Sequence, residues 1–114
     1  MTSPPKLLCI KARLTDRITI NTKMIAICPV TKTLDNYSIT IEYKPSCDER
    51  DGCTYIELKS LREYLDSFRD RAIYHEDLIN ELLKDIQDSC DPEELRIVLN
   101  SEYMGIRYTV ELTA

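Results

Sequence analysis

The sequence predicts an α+β fold in which two helices cover one face of a four-stranded antiparallel sheet, in the order β-β-α-α-β-β. Three observations predict it. Apolar side chains alternate at Ile18 and Ile20 and again at Tyr37, Ile39, Ile41 and Tyr43, the period of a half-buried strand. Two later stretches space their apolar residues by three and four, first at Leu58, Leu61, Leu65 and Phe68, then at Ile79, Leu82, Leu83, Ile86 and Cys90. Two further strand-like runs follow, joined around Gly105.

Taken in order, residues 6–14 read as a short extra strand before the main pattern. Arg17–Ile27 is the first main strand, with a bulge near Met24, and Pro29 ends it because proline cannot donate to a ladder. Cys28 therefore stands at a strand end, where a side chain can face a cleft. The six residues from Val30 to Asp35 connect to the second strand, Tyr37–Tyr43. Lys44–Ile56 reads as a polar loop containing Pro45 and Gly52. The first helix spans Glu57–Arg69, with Glu57 suited to the positive end of the helix dipole and Arg69 and Arg71 to the negative end. The second spans Glu76–Cys90 and is stopped by Asp91-Pro92. Leu95–Leu99 and Ile106–Leu112 complete the sheet. Two helices cover only one sheet face, so the other must be polar or partnered.

A chain of 114 residues is read as a single domain, 1–114, without repeats, linkers or low-complexity tracts. No apolar run is long enough to span a bilayer, and Met1–Lys6 lacks the pattern of a secretory signal, so the expected location is cytoplasmic. The net charge of −5 argues against non-specific nucleic-acid binding. The charge is unevenly placed: residues 1–34 hold six basic residues against Asp16 alone, a net +5, and the remainder carries −10. That asymmetry fits either one basic surface on an acidic body or solvated lysines on strand edges.

Among five cysteines there is no Cys-x-x-Cys pair, and a single histidine cannot supply a His-rich site, so no metal is expected. Cys47 and Cys53 flank a polar turn and form either a disulfide across it, a habit of hyperthermophile proteins inside cells, or two free thiols in a loop. The states of Cys9 and Cys90 stay open.

Cys28 is followed seven residues later by Asp35, and a thiol needs a nearby acid or base to act as a nucleophile. Read alone, the pair is a buried strand-end thiol and a turn aspartate. Downstream stand Glu57-Leu58-Lys59-Ser60-Leu61 and Tyr74-His75-Glu76. This ordered set, from about Ile25 to Pro92, resembles the QueF family, nitrile-handling enzymes of 7-deazaguanine chemistry within the tunnel-fold superfamily. The resemblance implies a tunnel fold, in which sheets of several subunits close into a barrel with helices outside and active sites between subunits. A homo-oligomer, pentamer or decamer, follows.

The resemblance also implies roles. Cys28 is the nucleophile and Asp35 its proton shuttle. His75 and Glu76 hold the base, the carboxylate accepting from the adjacent N–H and NH₂ groups of its guanine-like edge; Glu57 also binds the base, and Tyr74 adds backbone contacts or stacking. Glu57–Leu61 and Tyr64 match the nicotinamide-cofactor helix of QueF reductases, but Arg62 replaces a lysine, Glu63 replaces an apolar or tyrosine side chain, and the Gly-Gly turn and aromatic tail of the reductases are missing.

These departures point to the archaeal QueF-like branch, which resembles archaeosine synthases. The expected reaction is conversion of the nitrile of 7-cyano-7-deazaguanine in tRNA to a formamidine by ammonia, through a thioimide on Cys28, with no cofactor. The alternatives are an NADPH-dependent nitrile reductase and a non-catalytic purine-binding tunnel-fold oligomer.

Overall fold

The longest strand pair in the computed structural model runs from Ile18 to Lys44, and it organises everything else. The structure describes residues 5–114, so the reading of the extreme N-terminus at residues 1–4 lies outside it. The elements are β1 (Cys9–Ala12), β2 (Ile18–Ile27), β3 (Leu34–Lys44), β4 (Cys47–Asp48), β5 (Gly52–Ile56), α1 (Leu58–Asp66), α2 (His75–Cys90), β6 (Glu94–Tyr103) and β7 (Ile106–Thr113). The main sheet has the order β2-β3-β6-β7 and every pairing is antiparallel. The expected β-β-α-α-β-β order is thus present.

One face of this sheet is apolar because side chains alternate across a strand. Tyr37, Ile39, Ile41 and Tyr43 of β3 and Leu95, Ile97 and Leu99 of β6 are buried in one cluster with Leu61, Tyr64 and Leu65 of α1 and Leu78, Leu82 and Ile86 of α2. Ile18 and Ile20 pack on the same cluster from β2. The opposite face is largely polar. Thr40 donates to Asn21 at 2.8 Å, Thr109 to Asn100 at 2.6 Å, and Arg96 reaches both Glu42 at 3.2 Å and Glu111 at 2.7 Å. Ile25, Ile27 and Leu34 also lie on this second face, at one end of the β2–β3 pair, and Leu34 is exposed.

The expected loop from Lys44 to Ile56 is instead two strands. β4 and β5 pair with β1 in a separate small sheet of order β1-β5-β4. Gly52 opens β5 at φ +84, and a Cβ there would lie 2.1 Å from the carbonyl oxygen of Ala12, so the glycine is what lets β1 close in. Two disulfides anchor this layer. Cys47 and Cys53 are register partners joined across the β4–β5 turn, and Cys9 of β1 is joined to Cys90, the last residue of α2.

Element ends differ from the expectation in informative ways. Helix α1 stops at Asp66, so Phe68 is buried beyond it, Leu58 is exposed, and Tyr64 takes the inward position. Helix α2 begins one residue earlier, at His75, and Asp91 caps its end in the left-handed conformation. β6 and β7 meet in a two-residue turn, Met104-Gly105, both at positive φ, the geometry whose twist matches a tight hairpin.

Candidate active site

β2 ends at Ile27, and its last residue is tied sideways to the segment between the helices. Ile27 N–H donates to Arg71 C=O at 2.8 Å and Ile73 N–H donates to Ile27 C=O at 3.1 Å, a short parallel bridge centred on Ala72. Cys28 follows immediately on one side, and Tyr74, His75 and Glu76 on the other. A separation of more than forty residues is closed by two backbone hydrogen bonds.

Cys28 then opens a tight loop. Its N–H donates to Thr33 C=O at 2.9 Å, and Lys32 N–H, at a residue with φ 62, donates back to Cys28 C=O at 2.9 Å. The turn directs the Thr31 hydroxyl and the amides of Thr31 and Val30 at the thiol, and these donors hold its pKa below the ordinary value against the opposing effects of burial and of Asp35. Cys28 is the free cysteine of the five. The loop, rather than Asp35, is what favours the thiolate.

Asp35 is the second residue of β3, not part of the connection. Its carboxylate Oδ2 accepts from the Tyr37 hydroxyl at 3.4 Å and lies 4.0 Å from His75 Nε2. Tyr37 is 1% exposed, and burial first, then the charge of Asp35, pushes its pKa up, so it remains a donor. The His75 ring sits between Tyr37, with centroids 5.2 Å apart edge-on, and Tyr108, at 4.9 Å. Ser101 Oγ lies 3.3 Å from its Nε2. Glu76 accepts a short hydrogen bond from the Tyr108 hydroxyl, and this bond first, with its own backbone amide and His75, holds its carboxyl below the usual range.

Cys28, Asp35, Tyr74, His75 and Glu76 line one cleft of about 450 Å³, shared with Val30, Thr31, Ser101, Glu102, Tyr103, Ile106 and Tyr108. Five of the six residues singled out from sequence therefore meet. Glu57 does not line the cleft. It is the N-cap of α1, its two carboxylate oxygens accepting from Ser60 N–H at 2.8 Å and Lys59 N–H at 2.6 Å, which keeps its pKa low. Thr31, Tyr37, Ser101 and Tyr108 were not singled out. Tyr37 carried only the signature of a core strand residue, and Ser101 and Tyr108 meet α2 solely through strand register.

The fold superposes on the crystal structure of the archaeosine synthase QueF-Like in the apo form with a TM-score of 0.78, covering 90% of this chain and 96% of that one at 24% identity, which establishes the tunnel fold. The archaeosine synthase of Pyrobaculum calidifontis is 27% identical over 82% of this chain and 80% of its own length. The NADPH-dependent 7-cyano-7-deazaguanine reductases of Chlorobium phaeobacteroides and Acaryochloris marina are 32% and 40% identical, over 77% and 44% of their own lengths. The model of the family described as QueF, QueF-like protein, matches residues 35–113, a span that contains Asp35, His75 and Glu76 and begins just after the Cys28 loop. By that match, and by its likeness to the reductases, the chain belongs to the QueF-like protein family.

Proposed function

We propose that this chain is a single tunnel-fold domain that assembles as a homo-oligomer and converts the nitrile of 7-cyano-7-deazaguanine in tRNA to a formamidine with ammonia. One observation carries the reading: a free thiol of lowered pKa opens onto the same cleft as Asp35, His75 and Glu76. The names of the relatives supply the substrate class.

The Cys28 thiolate adds to the nitrile carbon. A C–S bond forms, the nitrile π pair moves to nitrogen, and Asp35 delivers the proton that nitrogen needs, giving a thioimide. Ammonia then adds to the same carbon, Asp35 accepts the surplus proton, and the C–S bond breaks to return the thiolate and leave the amidine. No electrons are exchanged. Glu76 accepts from the N–H and NH₂ edge of the base, and His75 supports it.

The choice of amidine formation over reduction rests on charge. The cleft carries the carboxylates of Asp35, Glu76 and Glu102, which favour an ammonium ion and disfavour a phosphorylated dinucleotide. On the helix that matches the reductases' cofactor segment, Lys59 pairs with Glu63 at 3.4 Å and Arg62 with Asp66 at 2.9 Å, so both cations have carboxylate partners. The reductase reading is favoured by the identity to reductases.

The test supplies nitrile-bearing tRNA with ammonium or with NADPH and identifies the product by mass. Amidine formation without NADPH oxidation is the expected result. Consumption of about two NADPH per nitrile would make the protein a reductase.

A further inference from the structure

Ser101 of β6 and Tyr108 of β7 are directly opposed across the last hairpin, and both reach the first turn of α2. Ser101 meets His75, and Tyr108 meets Glu76. Tyr108 is 41% exposed on an edge strand, so its hydroxyl is not needed to satisfy the core. Its only hydrogen-bond partner among the described residues is the Glu76 carboxylate. A phenol donating to a carboxylate is a charge-assisted bond, stronger than a neutral one and directional.

We propose that Tyr108 is the positioning residue of Glu76, holding its carboxylate turned into the cleft so that both oxygens face the N–H and NH₂ edge of a guanine-type base. This rests on the reading of Glu76 as the base-binding carboxylate. Each carboxylate oxygen has two lone pairs, so Oε1 can keep the Tyr108 bond and still accept from the base. Glu76 stands at an open helix end, and without Tyr108 its side chain is free to rotate into water. An adenine-type edge presents a ring acceptor beside its NH₂, and an acceptor facing a fixed carboxylate is repelled. Tyr108 thereby contributes to selectivity as well as to affinity.

The same bond keeps Glu76 ionised to lower pH. The other titratable groups that line the cleft are Cys28, Asp35 of β3, Glu102 and Tyr103 of β6, and Tyr74 and His75 beside Glu76 on its own element. Among the described residues, Tyr108 alone donates a side-chain hydrogen bond to the Glu76 carboxylate.

The test compares Cys28→Ala with Cys28→Ala/Tyr108→Phe in equilibrium binding of 7-cyano-7-deazaguanine across pH, beside adduct formation by the protein with Cys28 intact. Phenylalanine keeps the ring, so loss of stacking does not enter. The expected result is a Kd about tenfold higher at neutral pH. The acidic limb of binding should shift upward in pH, discrimination against an adenine-type base should fall, and the thermal midpoint should not change. An unchanged Kd and acidic limb, with adducts still forming on Cys28, overturns the role of Tyr108 and leaves the enzyme reading intact. Tyr108-dependent binding without any adduct does the reverse. No binding by either protein overturns both.

Discussion

Ile73 donates its amide proton to the carbonyl of Ile27 across 3.1 Å, and this bond sets the spacing between the thiol and the start of α2. Ile73→Pro deletes that donor. Adduct formation with the nitrile base should slow by about tenfold or more, because misplacing a bound substrate is costly. Alkylation of Cys28 by iodoacetamide should stay near the unaltered rate. Equal loss of both reactions would mean that the substitution damages the fold rather than the placement.

Cys28 is predicted to carry the covalent intermediate. Intact mass should rise by one base on incubation with the nitrile, and Cys28→Ala should abolish the rise. Since the other four cysteines are paired, an adduct surviving in that variant would show that a disulfide had opened and that the nucleophile lies elsewhere. Asp35→Asn should slow turnover by roughly 10²–10⁴-fold, the loss typical of a general acid–base group.

The pH dependence of the thiol follows from its loop. The Thr31 hydroxyl and two loop amides lower the Cys28 pKa, so the thiolate persists at a pH where an ordinary thiol is protonated. Alkylation rate plotted against pH should have its midpoint below that of a free cysteine, falling as pH drops through the thiol pKa. Thr31→Val should move the midpoint up, whereas Asp35→Asn should move it down further, since Asp35 opposes ionisation. Identical midpoints in all three proteins would remove the loop from the argument.

Much of this arrangement is legible in the chain, because periodicity reports burial. β2, β3 and both helices follow from alternation and from three-four spacing, and Asp91-Pro92 marks the end of α2. β4 and β5 are not legible: two residues and five, set about a polar turn with Gly52, are too short to show a period, and their pairing with β1 depends on contacts distant in sequence. Glu57 shows a different limit. An acid just before a helix reads alike whether it caps or binds a ligand, and only the geometry shows both of its oxygens engaged with α1. Tyr108 has no local signal, since what matters is that register sets it opposite Ser101 and over Glu76.

The disulfides should dominate stability. Closing the Cys9–Cys90 loop, a sequence separation of 81 residues, is worth about 4.5 kcal/mol in the chain-entropy model, and the six-residue separation of Cys47 and Cys53 about 2 kcal/mol. Cys9→Ala/Cys90→Ala should therefore lower the urea midpoint more than Cys47→Ala/Cys53→Ala, and dithiothreitol should have little further effect on a variant lacking all four. Equal midpoints for the two double variants would show that the reduced chain retains structure bringing Cys9 and Cys90 together.

The last prediction concerns assembly, and the reason for it is the sheet edges rather than its faces. The apolar face is covered by α1 and α2, and the opposite face is largely polar, with Ile25, Ile27 and Leu34 grouped at one end of it. β2 and β7 are different: among the described residues each pairs with one strand only, so β7 leaves eight residues of edge backbone and β2 most of its ten, Ile27 alone being bridged to the segment between the helices. Open edges of that length invite strand addition, and closing a sheet into a ring removes them. The cleft lies at the end of the sheet next to β7, and its rim exposes Val30, Tyr74, Tyr103 and Ile106, an apolar set placed where a second copy would arrive. Light scattering should give a mass that is a multiple of 13.3 kDa. Ile106→Asp, at 63% exposure, should lower that mass without lowering the stability of the single chain, and should slow adduct formation in proportion to the lost assembly. A monomer that forms the adduct at full rate would show that the cleft is complete within one chain.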